Sequence, residues 1–240
     1  MVDERRLLTA DCGNSTIDCM SDDGSRLRAE AAGAATALLG FLRAARPTDC
    51  LAVSVSSKSL ALLRAALDVE GVPLRMAGLD LPCPLRLDYD APATLGSDRW
   101  VGALAAHHDF GSAVVVDCGS ATTVNMVCAD GTFRGGAIAP GLRAFVVGMA
   151  ATTPLLPPAN LDAIPVMPPK STQTAIDTGV ILGYCGLIER LVADALRISD
   201  GAVVVITGGN AERVISLLRL KTNHVPDLVH RGLRFLALQQ

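Results

Sequence analysis

The stretch Val114 to Val124, VVVDCGSATTV, reads as a β-branched strand running into Asp117, a Cys-Gly-Ser turn and a second β-branched strand. Near the amino terminus Leu7 to Ile17, LLTADCGNSTI, repeats the pattern, with Asp11 lying 106 positions ahead of Asp117. Self-similarity at about half the chain length marks an internal duplication. The expected architecture is two related α/β domains, 1–111 and 112–240, facing each other across a cleft. Each presents one Asp and one glycine turn.

Such loops suit phosphate binding. Glycine removes the Cβ that keeps backbone amides away from phosphate oxygens, and successive N–H groups then form a nest for an anion. A carboxylate at the same turn holds a hydrated cation that neutralises the phosphates. One Asp-x-Gly turn alone is more often a plain hairpin. Two duplicated loops, joined by a third glycine turn at Thr207-Gly208-Gly209, outweigh that reading. Neither G-x-x-x-x-G-K-[ST] nor G-x-G-x-x-G occurs, which excludes a P-loop and a Rossmann dinucleotide site by motif.

Composition narrows the class further. At 240 residues and 50% apolar the chain buries a substantial core. A net charge of −3 gives no basic surface for a polyanion, and 3% aromatic residues leave little to stack on bases, so nucleic acid is not the expected partner. The seven cysteines are scattered and never spaced C-x-x-C, which reads as reduced cytosolic thiols rather than a disulfide frame or zinc site. The opening MVDERRLL lacks the apolar core of a signal peptide. Arg143 interrupts the longest apolar run, 137–151, leaving no stretch of the roughly 18 apolar residues that span a bilayer. A cytoplasmic protein without a membrane partner is expected.

Along the chain, strands are expected at 6–10 and 16–20, a helix over 29–45, a strand at 51–55 and a helix over 57–70 whose Leu60, Leu63, Ala66 and Leu67 share one face. A short strand at 74–77 precedes a Pro-rich loop that leads into a helix at 98–108. After the duplicated hairpin come a helix at 142–150, a long connection over 154–169 and one or two helices over 172–197. A strand at 203–206, a helix at 211–218, a strand at 227–229 and a terminal helix complete the reading.

Gly96-Ser97-Asp98-Arg99 opens the helix before the midpoint. Ser and Asp there suit a cap or first-turn acid. The functional alternative is a general base that takes a proton from a substrate hydroxyl. The helix terminus favours the ionised form, weakly basic but adequate for phosphoryl transfer, where the base mainly positions the nucleophile. Arg99 either forks onto a substrate carboxylate or is a solvated first-turn residue. His107 and His108 suit the C-terminal carbonyls of the same helix better than a metal, and Trp100 suits the core.

Taken together these residues resemble the type III pantothenate kinases, within the actin/hexokinase/Hsp70-like superfamily of duplicated actin-like (ribonuclease H-like) domains. The resemblance rests on Asp11-Cys12-Gly13-Asn14-Ser15, Gly96-Ser97-Asp98-Arg99-Trp100, Asp117-Cys118-Gly119-Ser120-Ala121-Thr122, Gly135-Gly136-Ala137-Ile138-Ala139-Pro140-Gly141 and Thr207-Gly208-Gly209, in order over nearly the whole chain. It implies a phosphotransferase with an alcohol group as acceptor: ATP-dependent phosphorylation of pantothenate to 4'-phosphopantothenate, the first step toward coenzyme A. It further implies that Asp11, Gly13, Asn14, Ser15, Thr16, Asp18 and Ser120 bind ATP with Mg²⁺. Asp98 would accept the proton, and Asp117 would ligate K⁺ or NH₄⁺. Tyr89, Gly96, Ser97, Asp98, Arg99 and Thr172 would hold pantothenate in a homodimer whose site borrows residues from the partner.

Two positions depart from the family pattern. Asp18 stands where some members carry a Lys that reaches the phosphates, and a carboxylate there repels the nucleotide unless a cation intervenes. Ser120 replaces the commoner Thr and keeps the hydroxyl. The alternatives are a non-catalytic regulatory accessory of the same fold and a related phosphotransferase or hydrolase with another substrate. Asp98, Arg99, Asp117 and both glycine loops favour the kinase.

Overall fold

The computed structural model describes residues 5–199 and 201–239. Residues 1–4, which open the stretch read against a signal peptide, lie outside the described residues, as do Asp200 and Gln240. The chain forms two compact units, one of Met1–Arg86, Asp90–Ala105 and Asp227–Gln240, the other of Leu87–Tyr89 and Ala106–Pro226. The sequence reading drew a single boundary between 111 and 112. In the structure the segment from Asp227 belongs to the first unit and Leu87–Tyr89 to the second.

In the first unit β1 (Leu7–Cys12), β2 (Thr16–Ser21), β3 (Arg26–Glu30), β4 (Asp49–Ser54) and β5 (Leu74–Met76) form a sheet in the order β3-β2-β1-β4-β5. β1 pairs antiparallel with β2 and parallel with β4, while β3 extends the antiparallel side and β5 the parallel side. Helices α1 (Ala34–Ala45) and α2 (Ser57–Glu70) bury one cluster with the sheet, in which Leu8, Ala10, Ile17 and Cys19 join Leu38, Leu42, Leu63 and Leu67. The side chains that alternate with these along β1 meet the C-terminal helix, Leu228–Leu238. The Thr9 hydroxyl donates to the Met20 carbonyl and lies 2.9 Å from His230 Nδ1. Covered on both faces, β1 reads as a nearly continuous apolar run.

The second unit repeats the plan. After β6 (Arg86–Leu87) and α3 (Ser97–Phe110), strands β7 (Ala113–Cys118), β8 (Ala121–Val127), β9 (Thr132–Pro140), β10 (Val203–Thr207) and β11 (Asn223–His224) pair in the order β11-β10-β7-β8-β9, with β6 beyond β9. The strand directions are those of the first sheet, antiparallel on the β8 side and parallel on the β10 side. The duplication seen in two short stretches of sequence is thus a duplication of a five-stranded sheet. Besides α4 (Leu142–Thr152) and α6 (Ala211–Val214), this unit holds α5 (Thr172–Leu196), one continuous helix opened by a Ser171–Thr174 capping box. Its Ile176, Val180, Tyr184, Ile188 and Val192 recur every fourth residue and pack with Val114, Val116, Val124 and Ile206. The C-terminal helix is α7.

Three expected elements differ. The helix expected over 29–45 begins only at Ala34, because Arg26–Glu30 alternates exposed and half-buried residues as an edge strand and Gly33, at φ +92, ends that segment. The strand expected at 227–229 is helical from Leu228, where Val229, Leu233, Leu236 and Ala237 make a helical stripe, and the strand falls earlier, at Asn223–His224. The helix expected over 211–218 stops at Val214. Among the described residues no helix is long and apolar enough to cross a membrane.

Candidate active site

In the first unit the β1–β2 hairpin carries Asp11 at the end of its first strand, opposite Asp18. The turn between is closed by Gly13 N–H donating to Thr16 O at 2.9 Å, which leaves Asn14 and Ser15 exposed. Two contacts hold the loop from behind. Ser59 Oγ, fully buried in α2, donates to Gly13 O at 2.7 Å, and Val55 N donates to Cys12 O at 3.1 Å. Val55 also reaches the other candidate loop of this unit: a Cβ placed on Gly96 would lie 3.8 Å from Val55 Cγ1 and 2.6 Å from Asp98 Oδ1. Asp98 is therefore packed against the one residue too small to displace it, on a segment beside Val55, which anchors the Asp11 loop.

Asp98 lies in the first turn of α3. Its Oδ1 is buried with no hydrogen-bond partner among the described residues. Burial raises its carboxyl above the usual value, and the Arg99 backbone N–H and guanidinium offset this only in part. The helix terminus was expected to keep this acid weakly basic; desolvation overrides it, as it does for carboxyls withdrawn from water. Arg99 is buried, at 7% exposure, so the solvated first-turn reading does not hold for it. Trp100 is core, and His107 Nδ1 meets the Gly111 carbonyl at 3.0 Å, as expected of a histidine at a helix C-terminus.

Asp18 is buried and heavily partnered. Arg26 grips both carboxylate oxygens, at 2.8 and 2.7 Å, His230 Nε2 lies 3.3 Å away and Arg28 Nε 3.8 Å. Burial pushes this carboxyl up, but the hydrogen bonds from Arg26 and His230 prevail and hold it at about 2. The repulsive charge expected at this position is thus met by the Arg26 guanidinium of the neighbouring strand together with His230.

In the second unit three glycine turns converge. Gly208, at φ +91, sits so close to the Asp117 loop that a Cβ there would lie 2.6 Å from Cys118 N and would collide with Asp117 Oδ1. Gly141 approaches Gly119 and Ser120 in the same way, with 2.6 Å from its ideal Cβ to the Gly119 carbonyl. Asn210 locks the contact, its Nδ2 donating to the carbonyls of Cys118 at 3.1 Å and Gly119 at 3.3 Å. A side chain at Gly141 or Gly208 would therefore force these turns apart and displace the Asp117 loop. Behind the loop, Thr122 Oγ1 and Tyr184 OH share a buried hydrogen bond of 2.7 Å that fastens the hairpin to α5. Tyr89 lies with its ring over Gly135 and 6.4 Å from that of Phe133. Thr172, at the start of α5, borders a cavity of about 610 Å³ lined by Phe145, Met149, Leu156, Ile176 and Val180.

The structure thus groups Asp11, the loop 13–16, Asp18 and Gly96–Arg99 in the first unit, and Tyr89, Asp117, Ser120 and Thr172 in the second. Ser59, His230, Arg26, Asn210 and Tyr184 escaped the sequence reading. Only Asn210 carried a local signal, as the residue after the Thr-Gly-Gly turn; the others support the loops from distant elements. Among the described residues there is no group of three His, Cys, Asp or Glu side chains able to hold a metal.

Twin sheets of one strand order, each ending its central strand in an Asp-Cys-Gly hairpin, define a protein of duplicated actin-like α/β units. MreB 5 of Spiroplasma citri, solved bound to AMPPNP, matches over 99% of this chain and 97% of its own at a TM-score of 0.54 and 10% identity. A conserved putative Baf family transcriptional activator from Campylobacter jejuni matches over 97% and 98% at a TM-score of 0.64 and 21% identity. At these identities the two show the fold alone. By sequence, a profile of type III pantothenate kinase matches residues 7–194. The type III pantothenate kinase of Rubrobacter xylanophilus is 34% identical over 96% of both chains. Other relatives of that name match over less of their own length, 57% in one case and 62% in another. The chain belongs to the type III pantothenate kinase family.

Proposed function

We propose that this protein transfers a phosphoryl group from ATP to the primary hydroxyl of pantothenate, giving 4'-phosphopantothenate and opening the route to coenzyme A. Membership of the family frames this reading, and the observation that carries it in the structure is Asp98. A buried carboxylate with an unpartnered oxygen and a raised proton affinity is built to receive a proton. As the substrate oxygen bonds to phosphorus and the bond to the departing ADP breaks, Asp98 takes the hydroxyl proton.

The other roles follow the chemistry of each group. Asp11, Gly13, Asn14, Ser15, Thr16 and Ser120 bind ATP through backbone N–H groups and hydroxyls. Asp18 acts in that site through the Arg26 guanidinium it holds. Glycines 141 and 208 let their turns pack directly against the Asp117 loop and hold its backbone in place, which supports that loop as a polyphosphate site. Asp117 is the single carboxylate of its loop, which suits a cation held in part by phosphate oxygens and water: K⁺ or NH₄⁺ at Asp117, with Mg²⁺ accompanying ATP. Such ions supply charge neutralisation when bound. Arg99 and Thr172 hold pantothenate together with Tyr89, Gly96 and Ser97, the Arg99 fork matching the substrate carboxylate.

A homodimer belongs to the same reading. Val147 and Leu182 are exposed on α4 and α5, beside the exposed small residues Gly148, Gly179 and Gly183, which makes an apolar face of the kind copies of a chain cover. All seven cysteines are free, which suits the reducing cytoplasm.

The test is pantothenate phosphorylation with ATP and Mg²⁺, with and without K⁺ or NH₄⁺, in the intact protein and in Asp98→Asn. Product that depends on the monovalent ion, and a fall of about 10²- to 10⁴-fold in kcat in the variant, is the expected result. No product from the intact protein with every component present overturns the reading, and full activity in Asp98→Asn overturns the role of that residue.

A further inference from the structure

Across the first sheet, three charged residues lie side by side in register. Asp11 on β1 is opposite Asp18 on β2, and Asp18 is opposite Arg28 on β3. Residues directly opposite in neighbouring strands put their side chains on the same face, so the row reads carboxylate, carboxylate, guanidinium. It ends next to the Asp11 loop: Thr16, the last residue of the turn, pairs with Glu30, two residues beyond Arg28. At the rise of a strand that is about 7 Å, within reach of an arginine side chain.

The two arginines flanking Asp18 are used differently. Arg26, on the same face of β3, spends its planar fork on both oxygens of Asp18. Arg28 touches Asp18 only through Nε at 3.8 Å, beyond hydrogen-bond distance, donates to no described residue and leaves its side chain 46% exposed. Its five N–H donors are therefore unspent, on a face that carries two carboxylates beside a loop whose Asn14 and Ser15 are exposed. An anion entering that loop meets the repulsion of Asp11 and Asp18 unless a cation stands in the same row, and Arg28 is in register to be that cation.

We propose that Arg28 is a nucleotide-binding residue whose guanidinium grips the terminal phosphates of ATP, with Asp18 and Arg26 as the ion pair that keeps the row from repelling them. This rests on the kinase reading above. A delocalised, planar cation matches two phosphate oxygens at once, so the side chain reads the polyphosphate rather than the adenosine.

The experiment is calorimetric titration of the full-length protein, Arg28→Ala and Arg28→Lys with ATP and, separately, AMP, beside a pantothenate phosphorylation assay of the intact protein. The expected result is a tenfold or greater loss of ATP affinity in Arg28→Ala, partial recovery in Arg28→Lys, and AMP binding changed less than twofold, since AMP lacks the phosphates concerned. Equal ATP affinity in the intact protein and Arg28→Ala overturns the proposal. So does an equal loss for ATP and AMP, which assigns Arg28 a purely structural role and covers a variant that folds poorly. ATP binding by the intact protein that is lost as described, with no pantothenate turnover, sinks the substrate assignment and leaves Arg28 in place.

Discussion

Replacing Asp18 by Asn substitutes a neutral side chain of the same shape for a carboxylate held by Arg26 and His230. The carboxyl sits at about 2 in the folded protein against 3.8 in its unperturbed state. By linkage that difference is about 2.4 kcal/mol of stability at neutral pH, and partial exposure of the Arg26 side chain discounts it to about 2 kcal/mol. The sign follows from the lowered value. The contribution is complete above 3.8, declines as pH falls toward 2, and is absent once the folded-state carboxyl is also protonated. In a chain of this size 2 kcal/mol is about 4–8 °C in Tm. Urea unfolding of both proteins at a series of pH values from 2 to 7 reads the gap between them, and other acids cancel in the difference. A gap of about 2 kcal/mol at pH 7 that closes between pH 4 and pH 2 is expected. A gap below about 0.5 kcal/mol at neutral pH, or one that does not change with acid, refutes the claim that the ion pair, rather than the shape of residue 18, does the stabilising.

Gly96→Ala places a methyl group 2.6 Å from Asp98 Oδ1, so the carboxylate must swing aside; kcat is expected to fall at least tenfold while Tm changes by only a few degrees, as measured by steady-state kinetics and calorimetry. Gly208→Ala imposes a left-handed φ of +91 on a residue with a Cβ and drives that carbon against the Cys118 backbone; about 3 kcal/mol of destabilisation and loss of ATP binding are expected in denaturant unfolding and calorimetric titration. Tyr184→Phe strands the buried Thr122 hydroxyl; a loss of about 1–2 kcal/mol in urea unfolding is expected, and Thr122→Val in the same background should add little, since both partners are then apolar.

Much of this was legible in the chain because the local pattern carries it. Val114 to Cys118 and Leu7 to Cys12 are apolar runs closed by the same Asp-Cys turn, and the pairing of each with its own hairpin partner needs no distant information. The 106-residue match hid one difference: Cys12 pairs with Ile17 but Cys118 with Thr122, so the second hairpin is one residue shorter and Thr16 and Thr122 are not equivalent. Ala29 and Glu30 suit a helix locally because Ala favours helices on its own, and only pairing with β2 draws them into the end of a strand.

The duplicated α/β plan, the three glycine turns and the candidate acids follow from the order of residues alone, since strand periodicity and turn chemistry are properties of neighbouring residues. The character of those acids comes from the folded surroundings. Asp98 gains its proton affinity from burial, and Asp18 loses its own to arginines on β3 and a histidine more than two hundred residues away on α7. Solvation and charge pairing depend on what folding brings within a few ångströms, and no reading of the residues beside Asp18 in the chain contains His230.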